Sequence, residues 1–164
     1  MLKKLLLLVA TGFFLASCAA TNTQQGGDVD AASSSTSSGS DSSITAGTQE
    51  DLIVNVGDRV FFEFDSSELT VDAQATLDAQ AAWLMQYSDT NITIEGHADE
   101  RGTREYNLAL GDKRAFAVYS YLAQAGIDTN RMEYISWGKE RLEVVGSDET
   151  AYSQNRRGVT TVTN

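Results

Sequence analysis

The chain has 164 residues, 41% of them hydrophobic and 21% charged, with a formal net charge of −11 from 23 acids and 12 bases. That leaves room for one small domain. It is too polar for a multi-pass membrane protein and too acidic to favour a phosphate backbone, so nucleic acid is not expected as a partner. One cysteine and one histidine exclude an internal disulfide and a multi-cysteine zinc site, and no cofactor or metal is implied.

Residues 1–17 read as a signal peptide. Lys3 and Lys4 precede an apolar run from Leu5 to Leu15 that is too short for a bilayer span and ends in small residues. Leu15-Ala16-Ser17-Cys18 resembles the bacterial lipobox, in which the cysteine is acylated and becomes the new N-terminus. The resemblance implies an outer-membrane lipid anchor on Cys18, because Ala19 stands where an aspartate would favour retention at the inner membrane. Several acyl chains hold stably, at about 0.8 kcal/mol per buried methylene. Cleavage removes two lysines and no acids, taking the charge from −11 to −13.

Residues 18–49 form the lipidated N-terminus and a tether. Eight of the thirteen residues from Ala31 to Ser43 are serine, so the segment cannot bury enough apolar surface to offset its ordering entropy. A flexible chain of about 30 residues spans about 30 Å.

Residues 50–164 form the domain. Val60 to Phe64 is aromatic and β-branched and reads as a strand, broken by Asp65-Ser66-Ser67. Thr70 caps a helix over 71–87, with Leu69, Ala73, Leu77, Ala81 and Leu84 at helical spacing. Asn91 to Gly96 alternates as a second strand. After a polar loop, Thr103 caps a second helix with a stripe of Leu108, Ala115, Val118, Leu122 and Ala125, which Gly126 stops. Arg131–Trp137 and Arg157–Val162 read as the third and fourth strands, with a short helix near Ala151–Asn155 between them. The order β-α-β-α-β-β predicts an α+β fold: a mixed four-stranded sheet with two main helices on one face.

Chemistry concentrates where the second strand runs into the second helix, from Gly96 to Asn107. Ligands gather at the carboxyl ends of strands in βα units. Arg114 borders the buried stripe, where a charge is costly without a partner. It either snorkels to solvent or reaches toward the loop carrying Asp99. An Asp and an Arg held apart would suit a zwitterion. Nothing points to catalysis: no Gly-x-Ser-x-Gly surrounds a serine, and His97 has no second histidine or cysteine beside it. His97 reads as a hydrogen-bonding partner that fixes its loop. Asn155-Arg156-Arg157 reads either as a basic ligand patch or, as the favoured alternative, as a brace at the end of the last strand, with Arg156 or Arg157 paired to a local acid.

Ile94 to Thr103, with Tyr106 to Gly111 and Arg114-Ala115, resembles the OmpA-like peptidoglycan-binding domain. Phe64-Asp65-Ser66, Ser136 to Glu140 and Gln154 to Arg157 fit its other signatures, so the resemblance covers roughly residues 58 to 163. Glu63 stands where the family commonly has aspartate, and Val71, Arg104 and Leu142 where it often has proline. The resemblance implies non-covalent binding of the diaminopimelate of peptidoglycan. Asp99 would hold its ammonium and Arg114 its carboxylate, with Phe64, Asp65 and Leu110 completing the pocket. Alanine at Asp99 or Arg114 is then expected to weaken binding with little unfolding. With lipobox and tether, the chain resembles the lipid-anchored members of that family. These have a second partner, a TolB-type periplasmic β-propeller on much the same surface. The alternative reading makes that protein interaction the main role.

Overall fold

The computed structural model describes residues 44–163. The signal peptide, Cys18 and most of the tether lie outside the described residues. Among the described residues, no helix is long and apolar enough to cross a membrane.

In chain order the elements are α1 (Gln49–Asn55), β1 (Arg59–Phe61), α2 (Val71–Gln86), β2 (Ile92–His97), α3 (Arg104–Gln124), β3 (Met132–Gly138), α4 (Glu149–Asn155) and β4 (Arg157–Val162). A single 3-10 turn, Thr129–Arg131, precedes β3. The sheet order is β1-β4-β2-β3. β4 runs antiparallel to both neighbours, pairing Val60 with Gly158 on one side and Ile94 with Thr160 on the other. β3 lies parallel to β2, as a helical crossover through α3 requires. The α+β architecture with a mixed four-stranded sheet is therefore as expected. α2 and α3 supply the main helical layer, and Leu77, Leu84, Val118 and Leu122 pack with Val60, Ile92, Ile94 and Met132 in one core.

The caps act as their chemistry dictates. Thr70 accepts from the Ala73 amide and Thr103 from the Tyr106 amide. Gly126 follows α3 with φ +101°, a left-handed conformation that glycine adopts without a Cβ penalty. Two differences stand out. β1 is only three residues long, because the chain turns away after Phe62; Asp65, at φ +54°, completes the departure. The buried positions of α3 are Asn107, Gly111, Arg114, Ala115, Val118 and Leu122, whereas Leu108 is exposed. The true stripe is thus rotated toward small and polar residues.

α1 is the element the hydrophobic pattern does not announce. It begins at Gln49, capped by Thr48, and buries Leu52. Gln49 braces β4 with both ends of its amide: Nε2 donates to the Thr160 carbonyl and Oε1 accepts from the Val162 amide. Asp51 is buried and accepts from the Gly47 amide, the Asn55 amide side chain and Trp83 Nε1. Those bonds hold its carboxyl below the usual value of 3.8, the Gly47 amide contributing most. A carboxyl depressed in the folded state adds stability that is present above its ordinary pKa and fades as pH falls through the folded value. The melting temperature is expected to drop between pH 5 and pH 3, and Asp51→Asn is expected to shrink that drop while lowering stability at pH 7.

Candidate functional site

β2 delivers the chain to the site, and a close backbone crossing sets its depth. A Cβ added at Gly96 would lie 1.8 Å from the Gly111 carbonyl oxygen, so only glycine allows α3 to lie this close to β2. The loop from Ala98 to Thr103 is tied down along its length. The Ala98 amide donates to the Gly138 carbonyl. Lys139 Nζ donates to the carbonyls of Glu100 and Gly102, and Asn107 Nδ2 to those of Arg101 and Thr103.

Arg114 lies one turn beyond Leu110 on α3 and has no solvent exposure. Its Nε donates to the Ser66 carbonyl at 2.8 Å, Nη1 to that of His97 at 2.8 Å and Nη2 to that of Glu63 at 3.1 Å. Those three bonds use three of the five guanidinium donors. Among the described residues Arg114 makes no direct ion pair. Burial and the nearby charge of Arg156 bring its pKa down to about 10, so it remains charged at neutral pH. It is therefore a buried cation held by neutral carbonyls, joining the loop after β1 to the end of β2.

Asp99 is also buried, at 5% exposure, and is already engaged. Oδ1 accepts from the Arg101 amide and Nε, and Oδ2 from Arg101 Nη2 at 2.6 Å. Arg156 Nη1 stands 3.6 Å from Oδ2. Burial works to raise the carboxyl's pKa, but the bonds and charge of Arg101 outweigh it and keep Asp99 ionised. The Arg101 guanidinium lies between two rings, 4.3 Å from the centroid of Phe64 and 4.1 Å from that of Tyr152. Tyr106 Oη donates to Asp65 Oδ1.

Phe64, Asp65, Asp99, Leu110 and Arg114 all line one cavity of about 180 Å³, together with Arg101, Gly102, Tyr106, Asn107 and Arg156. Sequence reasoning misses Arg101, because only the folded loop turns it back onto Asp99. Tyr106 and Asn107 are accessible to reasoning, since the Thr103 cap places both in the first turn of α3. Arg156 does brace β4, through a 2.7 Å pair with Glu149, yet it also enters the cavity wall. Arg157 pairs with Glu143 at 3.4 Å. The His97 ring is not the hydrogen-bonding loop anchor that the sequence suggests: among the described residues neither ring nitrogen has a hydrogen-bond partner, and only the backbone carbonyl is engaged, by Arg114. The ring is buried, with Nε2 3.3 Å from Glu95 Oε2. Burial, helped by the charge of Arg157, pulls the imidazole pKa to about 4 and leaves it neutral.

Fold and site define a small α+β domain carrying a charged pocket at one end of its sheet. Residues 61–156 match the OmpA family. The chain is 60% identical over 116 residues to the peptidoglycan-associated lipoprotein of Rhizobium meliloti strain 1021, covering 71% of this chain and 66% of that protein. It is 59% identical over 116 residues to the one from Brucella suis biovar 1, covering 71% and 69%. The chain thus spans about two thirds of the length of these curated relatives. The crystal structure of the peptidoglycan-associated lipoprotein from Burkholderia pseudomallei superimposes with a TM-score of 0.63 at 42% identity, covering 65% of this chain and 90% of that one. The C-terminal domain of Helicobacter pylori MotB shares the fold at a TM-score of 0.60 and 20% identity, covering 65% and 84%. The chain belongs to the OmpA family.

Proposed function

We propose that this chain is a lipid-anchored protein of the bacterial envelope that fastens the outer membrane to the cell wall. Acylated Cys18 sits in the membrane and the domain sits in the periplasm. The domain binds peptidoglycan non-covalently through the diaminopimelate of its stem peptides. The relatives' names support peptidoglycan association. The observation that carries the ligand chemistry is Arg114: a fully buried guanidinium with no carboxylate of its own, in one cavity wall with the carboxylate of Asp99. A ligand bearing an ammonium and a carboxylate on one carbon satisfies both. Arg114 takes the carboxylate with its two unspent donors and Asp99 takes the ammonium, with Phe64, Asp65 and Leu110 shaping the pocket. No bond is made or broken, so the role is binding rather than catalysis.

This reading makes the chain the Pal component of a Tol-Pal system supporting envelope integrity and division. A second reading gives first place to a TolB-type periplasmic β-propeller. Its support is the pocket rim, where Phe64 and Tyr106 are 60% and 53% exposed, aromatic surface of the kind partner proteins cover. The full chain is expected to sediment with purified peptidoglycan and to be released by free diaminopimelate. Failure to sediment would overturn the first reading. Asp99→Ala separates the two readings, because it spares the fold: it strongly weakens wall binding in the first and leaves the main envelope phenotype intact in the second. Mass spectrometry is expected to find diacylglycerol on Cys18 as the mature N-terminus. Cys18→Ser is expected to leave the membrane fraction or remain unprocessed.

A further inference from the structure

Resting on the proposed diaminopimelate reading, we propose that Arg101 determines specificity. It is a built-in competitor for Asp99 that admits a zwitterion and turns away a bare amine.

The geometry is that of an internal ligand. Arg101 already presents to Asp99 the positive charge that an ammonium would bring. Its guanidinium donates to both carboxylate oxygens, at 3.2 and 2.6 Å. With the Arg101 amide also on Oδ1, three of about four lone-pair positions of Asp99 are taken. Phe64 and Tyr152 both pack against the guanidinium. It is nonetheless the most movable of the pocket's arginines. Its side chain is 35% exposed, against 6% for Arg156, while Arg114 has no exposure at all. An incoming ammonium therefore reaches Asp99 by displacing Arg101, not Arg114.

Charge balance decides which ligand can do so. Arg101, Arg114 and Arg156 face Asp65 and Asp99, and Glu149 pairs from outside the cavity with Arg156 at 2.7 Å and with Arg101 at 3.7 Å. The set is neutral. A zwitterion leaves it neutral, and its carboxylate meets the freed guanidinium as well as Arg114. A bare amine leaves one uncompensated positive charge in a half-enclosed site, where like charges interact strongly. Removing the charge of Arg101 reverses the balance: the wall becomes negative by one, and an amine alone neutralises it.

The test compares two peptidoglycan stem peptides on the full chain in detergent, by calorimetry. One carries meso-diaminopimelate, the other lysine at the same position. The unmutated chain is expected to prefer the diaminopimelate peptide. Arg101→Gln is expected to bind the lysine peptide about tenfold more tightly, as removal of a competitor that occupies the site about nine-tenths of the time would do. It is also expected to reduce the preference ratio, because the diaminopimelate peptide loses the freed guanidinium that its carboxylate meets in the unmutated chain. A ratio kept within about twofold, or weaker binding of the lysine peptide, would overturn the inference and make Arg101 a brace for Asp99. Should the variant not fold, the Arg101 Nε–H resonance of the unmutated chain gives the same answer. Saturating diaminopimelate peptide must shift it and speed its exchange with water; an unmoved resonance overturns the inference. If the unmutated chain binds neither peptide, the wall-binding reading itself fails. If it binds the diaminopimelate peptide while the ratio is insensitive to Arg101, only this inference fails.

Discussion

Arg114→Ala is expected to abolish peptidoglycan binding and to destabilise the domain at the same time, whereas Asp99→Ala is expected to cost mainly binding. The difference follows from what each side chain holds. Removing Arg114 strands the carbonyls of Glu63, Ser66 and His97. A buried group left without its partner costs about 1–3 kcal/mol, so the sum reaches about 3 kcal/mol or more even with partial rescue by water. For a domain of this size that lowers the melting temperature by about 10 °C. Removing Asp99 leaves Arg101 partly exposed and still 3.7 Å from Glu149, and leaves Arg156 paired with Glu149. Binding should then fall by about tenfold to a hundredfold, the loss of one charge-assisted contact. Arg114→Lys keeps the charge but not the planar fork, and is expected to fall short in both respects. Thermal melts alongside wall sedimentation check each case. Equal stability of the two alanine variants would contradict the strut role of Arg114. The near-isostable outcome that the sequence suggests for both positions is thus expected for Asp99 only.

Gly96→Ala is expected to be among the most damaging single substitutions in the domain. The new methyl would sit 1.8 Å from the Gly111 carbonyl oxygen and 2.7 Å from its carbon, both backbone atoms inside a long helix. β2 cannot retreat, because Gly96 is paired with Ser136 on one side and Gly158 on the other. Either the strand leaves its ladder or α3 lifts off the sheet, at a cost above about 3 kcal/mol. Gly158→Ala is the matched control. Its Cβ meets a side-chain methyl, Val118 Cγ2, at 3.1 Å, which can shift. Urea midpoints should fall much further for Gly96→Ala than for Gly158→Ala. Comparable midpoints would mean that the crossing is looser than the geometry describes.

Those two positions also show what the sequence makes legible. Thr70, Thr103 and Gly126 announce α2 and α3 because capping is a local matter of one side chain and one amide. The span of β4 follows from its β-branched run. α1 escapes notice since a seven-residue helix burying one leucine has no periodicity to detect; its purpose lies in Gln49 reaching β4, more than a hundred residues away. Leu108 misleads because it fits the helical spacing, while the contact face is set by how closely Gly96 and Gly111 approach, a tertiary fact. At the site, Asp99 and Arg114 stand out as charges beside a strand end and a buried stripe. Arg101 and Arg156 do not, because their relation to Asp99 depends on a loop fold and on a strand that returns to the middle of the sheet.

That returning strand sets the order in which the molecule can be completed. Among the described residues β4 is the last element, yet it is the only sheet neighbour of β1 and one of two neighbours of β2. A ribosome releases β1 and β2 first, and until Arg157–Val162 emerge β1 has nothing to pair with. Closing the sheet joins segments roughly one hundred residues apart, a slow step by contact order. The domain therefore cannot lock until Arg157–Val162 are free, and the earlier strands stay pliable up to that point.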